Sequence, residues 1–391
     1  MAHPKNLAFV KPELLVWARE DAGYTIEAAA KKITVKVGKL AACEAGEDRL
    51  TVNQLRSLSN VYKRPLAFFY LPTPPQTDIS LQDFRRFTDE DDHRLQPALR
   101  LEIRKAKARR EIALNMLDEL DTEPEVFNAF ASPDESVQVI GRRIRELLEV
   151  SFEKQLRLRT DYEALRFWRK SIEARGILVF QASVPKSEMR GFSIWYSPLP
   201  VIVVNAKDSP HGRVFTVVHE LAHLLLRSGG LCDLGEDGIE VFCNAIAGET
   251  LVPSELLLRE TLVRDNGDSH VWADSVLATI AGRYGVSREV ILRRLLTLDR
   301  TTQEFYRQRR TEWMQAFKEA NDKESPSGGF APPPVKALSM VGPTFASLVL
   351  DCYNQERISP IDAAQYLGVK VKHLSEIEKA VKIPSLTSEA A

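Results

Sequence analysis

Between residues 11 and 71, apolar positions recur every three or four residues in short runs, and this spacing predicts several short helices with tight connections. Pro12 stands near the start of the first helix and Gly23 just past its end. Thr25 can cap the second, with Glu27 in its first turn, and Thr51 can cap a fourth, TVNQLRSLSNVYK. LPTPPQT (71–77) breaks the pattern and reads as a linker. Residues 97–120 form one long, charged, amphipathic helix; about 122–150 is less regular, and 161–175 is helical again. The period then changes: GILVF (176–180), GFSIWYS (191–197) and PVIVVNA (200–206) are β-branched and aromatic and predict three strands, the last two separated by Ser197–Pro198. An almost wholly apolar helix from Phe215 to Leu226 follows, then a Gly/Asp loop, then a helix from about Ile239 to Leu251 ended by Pro253. KESPSGGFAPPPVK (323–336) is the clearest linker in the chain.

The expected fold class is therefore mainly α with a small β-sheet (α+β). The expected division is a helical domain at 1–75, a helical linker region at 76–150, a mixed domain at 151–300 with a helical module at 273–300, and a C-terminal helical module at 301–391. One near-repeat recurs three times. With Ala30, Ala281 and Ala364 aligned, Val35, Val286 and Val369 follow at one offset, and Leu40, Ile291 and Leu374 at a later one. This is the layout of a helix-turn-helix: a small residue where two helices cross, a turn, then apolar positions that seat the second helix.

Bulk composition is that of an ordinary globular chain: 391 residues, 44% hydrophobic, 27% charged, net charge −1. Nothing global points to nucleic acid or membrane, but the charge is uneven. Residues 1–75 carry net +4, residues 276–318 carry net +5, and Gly229–Glu249 holds five acids and no Lys or Arg. No stretch reads as a signal peptide and no apolar run reaches about 18 residues, so no membrane partner is expected. Cys43, Cys232, Cys243 and Cys352 show no CxxC spacing, which fits a reduced cytoplasm better than a disulfide scaffold.

The chemistry concentrates in the apolar helix. Thr216, His219 and His223 fall at helix spacings of three and four and share one stripe; the other faces are Val, Leu, Ala and Phe. A helix of that kind is buried nearly all round, and an ionised Glu220 inside it costs several kcal/mol unless a partner or a cation compensates. Imidazoles one turn apart can both reach a zinc ion (Zn2+) at about 2.0–2.1 Å. Glu220, about 100° round the helix from His219, then faces the open side of the site, where a carboxylate can act as general base. A catalytic zinc needs a third protein ligand. Glu240 on the next helix can supply it, with Asn244 one turn on holding a ligand imidazole's free N–H. Asp233, Glu236, Asp237 and Cys243 are the competing ligands.

GRVFTVVHELAHLLL followed by IEVFCNAIAGETLVP resembles the ImmA/IrrE family of metallopeptidases, whose pattern is RxxFTxxHExxH, then ExxxN and a terminating Pro. RGFSIWY and PVIVVNA match the strand pair before that family's zinc helix, and the resemblance covers about 160–300. Ala222 stands where Gly is common, and Cys243–Asn244 where Ala–Asn is; neither removes a ligand. The resemblance implies a zincin-like, gluzincin-type zinc endopeptidase that cleaves a helix-turn-helix repressor under stress or in mobile-element control. Residues 11–71 resemble the XRE (Cro/repressor-like) family in layout, including Glu44–Ala45–Gly46 after the recognition helix, which implies a five-helix DNA-binding fold. In that helix, about Lys36–Glu44, only Lys36 and Lys39 offer donors, suited to phosphates more than to base edges. Domains of this shape also bind other helix-turn-helix proteins. The module at 273–296 offers Arg283, Arg288, Arg293 and Arg294 as further DNA contacts, and Tyr196, Arg190 and His211 are candidates to stabilise an oxyanion. The competing functional reading is a DNA-binding regulator in which the zinc domain is a sensor.

Overall fold

The computed structural model describes residues 6–75, 96–227, 235–323 and 332–382. Most of the linker expected at 323–336, and most of the Gly/Asp loop before Ile239, lie outside them. The chain divides into two compact units, Met1–Lys107 and Ala108–Ala391.

In the first unit, α1 (Pro12–Asp21), α2 (Ile26–Lys32), α3 (Val37–Glu44) and α4 (Val52–Tyr62) are followed by a 3-10 turn at Leu66–Tyr70. Thr25 Oγ1 accepts from Ala28 N–H, and Thr51 with Gln54 closes a reciprocal capping box. The apolar faces meet over Leu14, Leu15, Ala30, Leu40, Leu55, Leu58 and Tyr62, all buried. Asp21 is buried between two guanidiniums, Arg64 at 2.7 Å and Arg104 at 2.9 Å. Arg104 lies on α5 (Pro97–Glu119), whose first half belongs to this unit.

The second unit holds the rest of α5, then α6 (Val137–Leu147), α7 (Phe152–Leu156) and α8 (Asp161–Glu173). Helix α6 falls where the sequence pattern was read as irregular. Gly141 in its middle looks like a breaker, but the helix packs so closely on a later one that a Cβ there would sit 2.8 Å from Glu249 Cγ. The glycine is a packing residue, and Ile140 and Ile144 are the apolar face that holds the helix down.

Three strands come next, β1 (Leu178–Ala182), β2 (Gly191–Ile194) and β3 (Val201–Asn205), in the order β1-β3-β2. β1 pairs parallel with β3 and β2 antiparallel, so β2 is an edge. Then follow α9 (Pro210–Leu226), α10 (Gly235–Leu251), α11 (Ser254–Arg259), α12 (Thr261–Asp265), α13 (Asp274–Tyr284), α14 (Arg288–Thr297), α15 (Gln303–Lys323), α16 (Pro333–Val341), α17 (Pro343–Asn354), α18 (Pro360–Leu367) and α19 (Leu374–Lys382).

Every residue of β1 and β3 is buried, because both sheet faces are covered. Val179, Ile202 and Val204 join the core that contains α9 and α10. Phe180 points the other way and meets Phe345 of α17 edge-on, with ring centroids 5.7 Å apart. Arg169 of α8 donates to Ser339 O at 2.7 Å, and Thr344 Oγ1 donates to Glu173 of α8 at 2.9 Å, so the C-terminal helices that pack on the sheet through Phe345 are hydrogen-bonded to α8. Among the described residues no single helix is long and apolar enough to cross a membrane. The fold is mainly α with one small mixed sheet.

Candidate metal centre

Helix α9 starts with Ser209 capping Gly212 N–H at 3.1 Å and Pro210 in its first turn. Arg213 Nη1 donates to Gln181 Oε1 of β1 at 2.8 Å, which fixes the rotation of the helix over the sheet. From Val214 to Leu226 almost every side chain is buried, Glu220 and His223 included.

His219 and His223 sit one turn apart with their Nε2 atoms 3.0 Å from each other. Glu240, from α10, brings Oε2 to 3.3 Å from His219 Nε2 and Oε1 to 3.1 Å from His223 Nε2. Three groups thus face one another, with 3.0 Å between the two nitrogens and 3.3 and 3.1 Å from them to the two oxygens of one carboxylate. A proton on one Nε2 serves a single neighbour, whereas His223 Nε2 faces both another nitrogen and a carboxylate oxygen. A cation at the shared centre satisfies all three. Tetrahedral zinc with bonds of about 2.0–2.1 Å places its ligand atoms about 3.3 Å apart, close to what is found here. The residues fit the ion. Among the described residues this is the one cluster of three or more His, Cys, Asp or Glu able to hold a metal. Burial works to raise the Glu240 carboxyl pKa, but hydrogen bonds from His219 and His223, and then their charge, outweigh it and hold the group well below the usual carboxylate range.

Glu220 is only 7% exposed and takes no part in the triangle. It points to strand β2: a Cβ on Gly191 would lie 3.2 Å from Glu220 Oε1 and 2.4 Å from Thr216 Cγ2. The absent side chain of Gly191 is therefore what lets the edge strand lie directly against the acid.

Behind the triangle, Cys243 Sγ lies 3.4 Å from His223 Nδ1. That is the role the sequence suggested for Asn244. Among the described residues, Asn244 is half-buried and makes no hydrogen bond to either histidine. The reason is angular: both residues follow Glu240 by about one turn, but Cys243 is turned to the buried side. Cys243 thus backs His223 and does not join the cluster. Asp233 and the side chains of Glu236 and Asp237 lie outside the described residues.

Other candidates are placed differently. His211 is about 12 Å along α9 from His219 and pairs with Asp161 at 3.1 Å, so it does not reach the triangle. Tyr196 lies under the Arg110 guanidinium, 4.1 Å from its ring centre. Arg190 uses its carbonyl to accept from Asn205 N–H at 2.8 Å, and its side chain is exposed. In α13 and α14 the arginines do not form a free basic face. Arg294 is buried against Glu249, Arg283 pairs with Glu260 at 2.7 Å, Arg288 pairs with Asp274, and Arg293 donates to Tyr306 Oη at 3.3 Å. In the first unit, Lys36 is exposed at the start of α3, while Lys39 is held by Asp48 Oδ2 at 2.8 Å.

The sequence pattern gave no sign of one group at the far end of α9. Arg227 lies 4.6 Å from the centre of the Trp195 ring and 5.9 Å from that of Phe130. Its members come from separate segments, so no local spacing marks it.

Residues 172–296 match the family model of peptidase family M78, the IrrE N-terminal-like domain. The match takes in all three strands, α9, α10 and the triangle of His219, His223 and Glu240, and it supports a peptidase domain over this segment. No curated protein matches the chain.

Proposed function

We propose that this chain is a zinc-dependent endopeptidase that controls transcription by cutting a helix-turn-helix repressor. His219, His223 and Glu240 hold the metal, and Glu220 is the general base. The observation that carries this reading is the convergence of two imidazole nitrogens and a carboxylate within 3.3 Å of one another, beside a buried glutamate that ligation does not need.

Zinc bound there would supply Lewis acidity toward water and the scissile carbonyl. Glu220 takes the proton from the attacking water and returns it to the leaving amine. Its burial in an apolar helix keeps that proton transfer away from bulk solvent. Among the described residues the edge strand β2 has a sheet neighbour on one side only, so its other side can pair with an extended peptide. Gly191 brings that peptide next to Glu220. Cys243 fixes the ring of His223, so that Nε2 is the ligating nitrogen.

The first unit, with its XRE-like layout, delivers the peptidase to its target, either on DNA through Lys36 or by docking on the repressor itself. In this reading the chain works in the reducing cytoplasm, where the buried thiols of Cys43, Cys243 and Cys352 stay reduced. The alternative is a DNA-binding regulator with the metal domain as sensor. The exposed Lys36 favours it, and the buried Glu220 speaks against it.

The test is to incubate the zinc-loaded chain with a helix-turn-helix repressor encoded next to its own gene. Fragments ending at one site, absent with chelator, support the reading. An intact repressor, together with DNA binding that persists in Glu220→Gln, favours the alternative.

A further inference from the structure

Helix α9 ends in an unusual way. The residue that caps it, Arg227, adopts the left-handed conformation (φ 44°, ψ 44°), a position where glycine is the common choice. A side chain there costs about 1 kcal/mol. What the chain places with it is a guanidinium between two aromatic rings, Trp195 from the end of β2 and Phe130 from the segment before α6. Both supports are anchored. Phe127 packs on Trp195 with centroids 6.1 Å apart, and Ala131 N–H donates to Leu225 O at 3.0 Å, which ties that segment to α9. Phe130 is 52% exposed, so this side of the arrangement is open to solvent.

Aromatic contacts occupy the flat faces of a guanidinium and leave its in-plane N–H groups directed outward. Among the described residues Arg227 has no carboxylate partner. The group that completes such an arrangement is an in-plane carboxylate, bound through two N–H donors.

Its place relative to the metal centre is set by β2 and α9, which pack on each other. Gly191 lies at Glu220, and Trp195, four residues along the strand, lies at Arg227. An extended peptide advances about 3.3 Å per residue. A peptide lying along β2 with its scissile bond at Glu220 therefore brings a side chain to Arg227 three or four residues from the cut.

We infer that Arg227, stacked between Trp195 and Phe130, is a specificity subsite that takes an aspartate or glutamate of the peptide substrate, three or four residues from the scissile bond. The inference rests on the peptidase reading above. The subsite selects sequence and has no role in bond breaking. Phe130 beside it favours an apolar neighbour to that acid.

The experiment profiles cleavage of a complex peptide mixture, a digest of denatured cellular protein, by the zinc-loaded full chain, with the cut sites read by mass spectrometry. Wild type is expected to enrich Asp and Glu at one position three or four residues from the cut, about tenfold over their background. Arg227→Gln should flatten that position, and Arg227→Glu should enrich Lys and Arg there instead. A second readout uses the Glu220→Gln chain and two fluorescein-labelled peptides that differ only by Glu or Gln at that position. The Glu peptide should bind about tenfold tighter, and Arg227→Glu should reverse the order. Cleavage by wild type with no acidic preference, or a preference that survives in Arg227→Glu, overturns the subsite and leaves the peptidase intact. If wild type cuts no peptide while holding zinc, the peptidase reading falls and takes the subsite with it.

Discussion

Glu240 Oε1 lies 3.1 Å from His223 Nε2, although the two residues sit on different helices. Its other oxygen lies 3.3 Å from His219 Nε2, so one carboxylate spans both imidazoles. A carboxylate that spans two imidazoles in this way can serve as the third ligand, and among the described residues it is the carboxylate of α10 that meets them. Glu240→Ala should therefore weaken zinc binding by at least a hundredfold, read by competition with a chromophoric chelator. Retention of one tight zinc in that variant would move the third ligand elsewhere.

Metal removal should destabilise the second unit. Binding only to the folded state adds about 4 kcal/mol when free zinc is a thousand times its Kd. At about 2–4 °C per kcal/mol for a chain of this size, chelator should lower Tm by roughly 8–16 °C. The same treatment of Glu240→Ala should change Tm little. An equal drop in both chains would mean that the stabilising metal is bound at another site.

Gly191→Ala puts a methyl group where Thr216 Cγ2 is 2.4 Å away and Glu220 Oε1 is 3.2 Å away. The strand must lift off the helix. Stability should fall by about 1–3 kcal/mol, the usual cost of overpacking, and cleavage should fall far more than stability does. Urea unfolding and a rate measurement separate the two. Full activity in this variant would show that β2 does not hold the substrate against Glu220.

Cys243→Ala removes the atom 3.4 Å from His223 Nδ1. Zinc affinity should drop about 10–100-fold, as for other partners of ligand histidines, and Cys243→Ser should recover part of it. Asn244→Ala should leave zinc affinity unchanged. The reverse order would restore Asn244 to the role its spacing suggested.

Much of this site was legible from spacing. A polar stripe on an otherwise apolar helix requires a partner, and His219, His223 and Glu240 do meet in one triangle. The choice between Cys243 and Asn244 was not legible, because adjacent helix positions differ by about 100° and only packing decides which faces inward. Helix α6 was hidden by Gly141, which looks like a breaker until its contact with Glu249 is seen. The hairpins seated on Ala30, Ala281 and Ala364 were visible as a repeat. That the last of them belongs to helices hydrogen-bonded to α8 was not. Arg169 reaches Ser339 across a long sequence separation, and no local pattern encodes such a contact. The stack of Arg227 on Trp195 and Phe130 escaped for the same reason: its three members come from three separate segments.

The most direct test compares wild type and Glu220→Gln for zinc content and for peptide cleavage. Glu220 lies outside the ligand triangle, so both chains should hold one zinc. Loss of the general base should lower the cleavage rate by about 10²–10⁴. Equal cleavage by the two chains, or a wild type that binds no metal, would contradict the account.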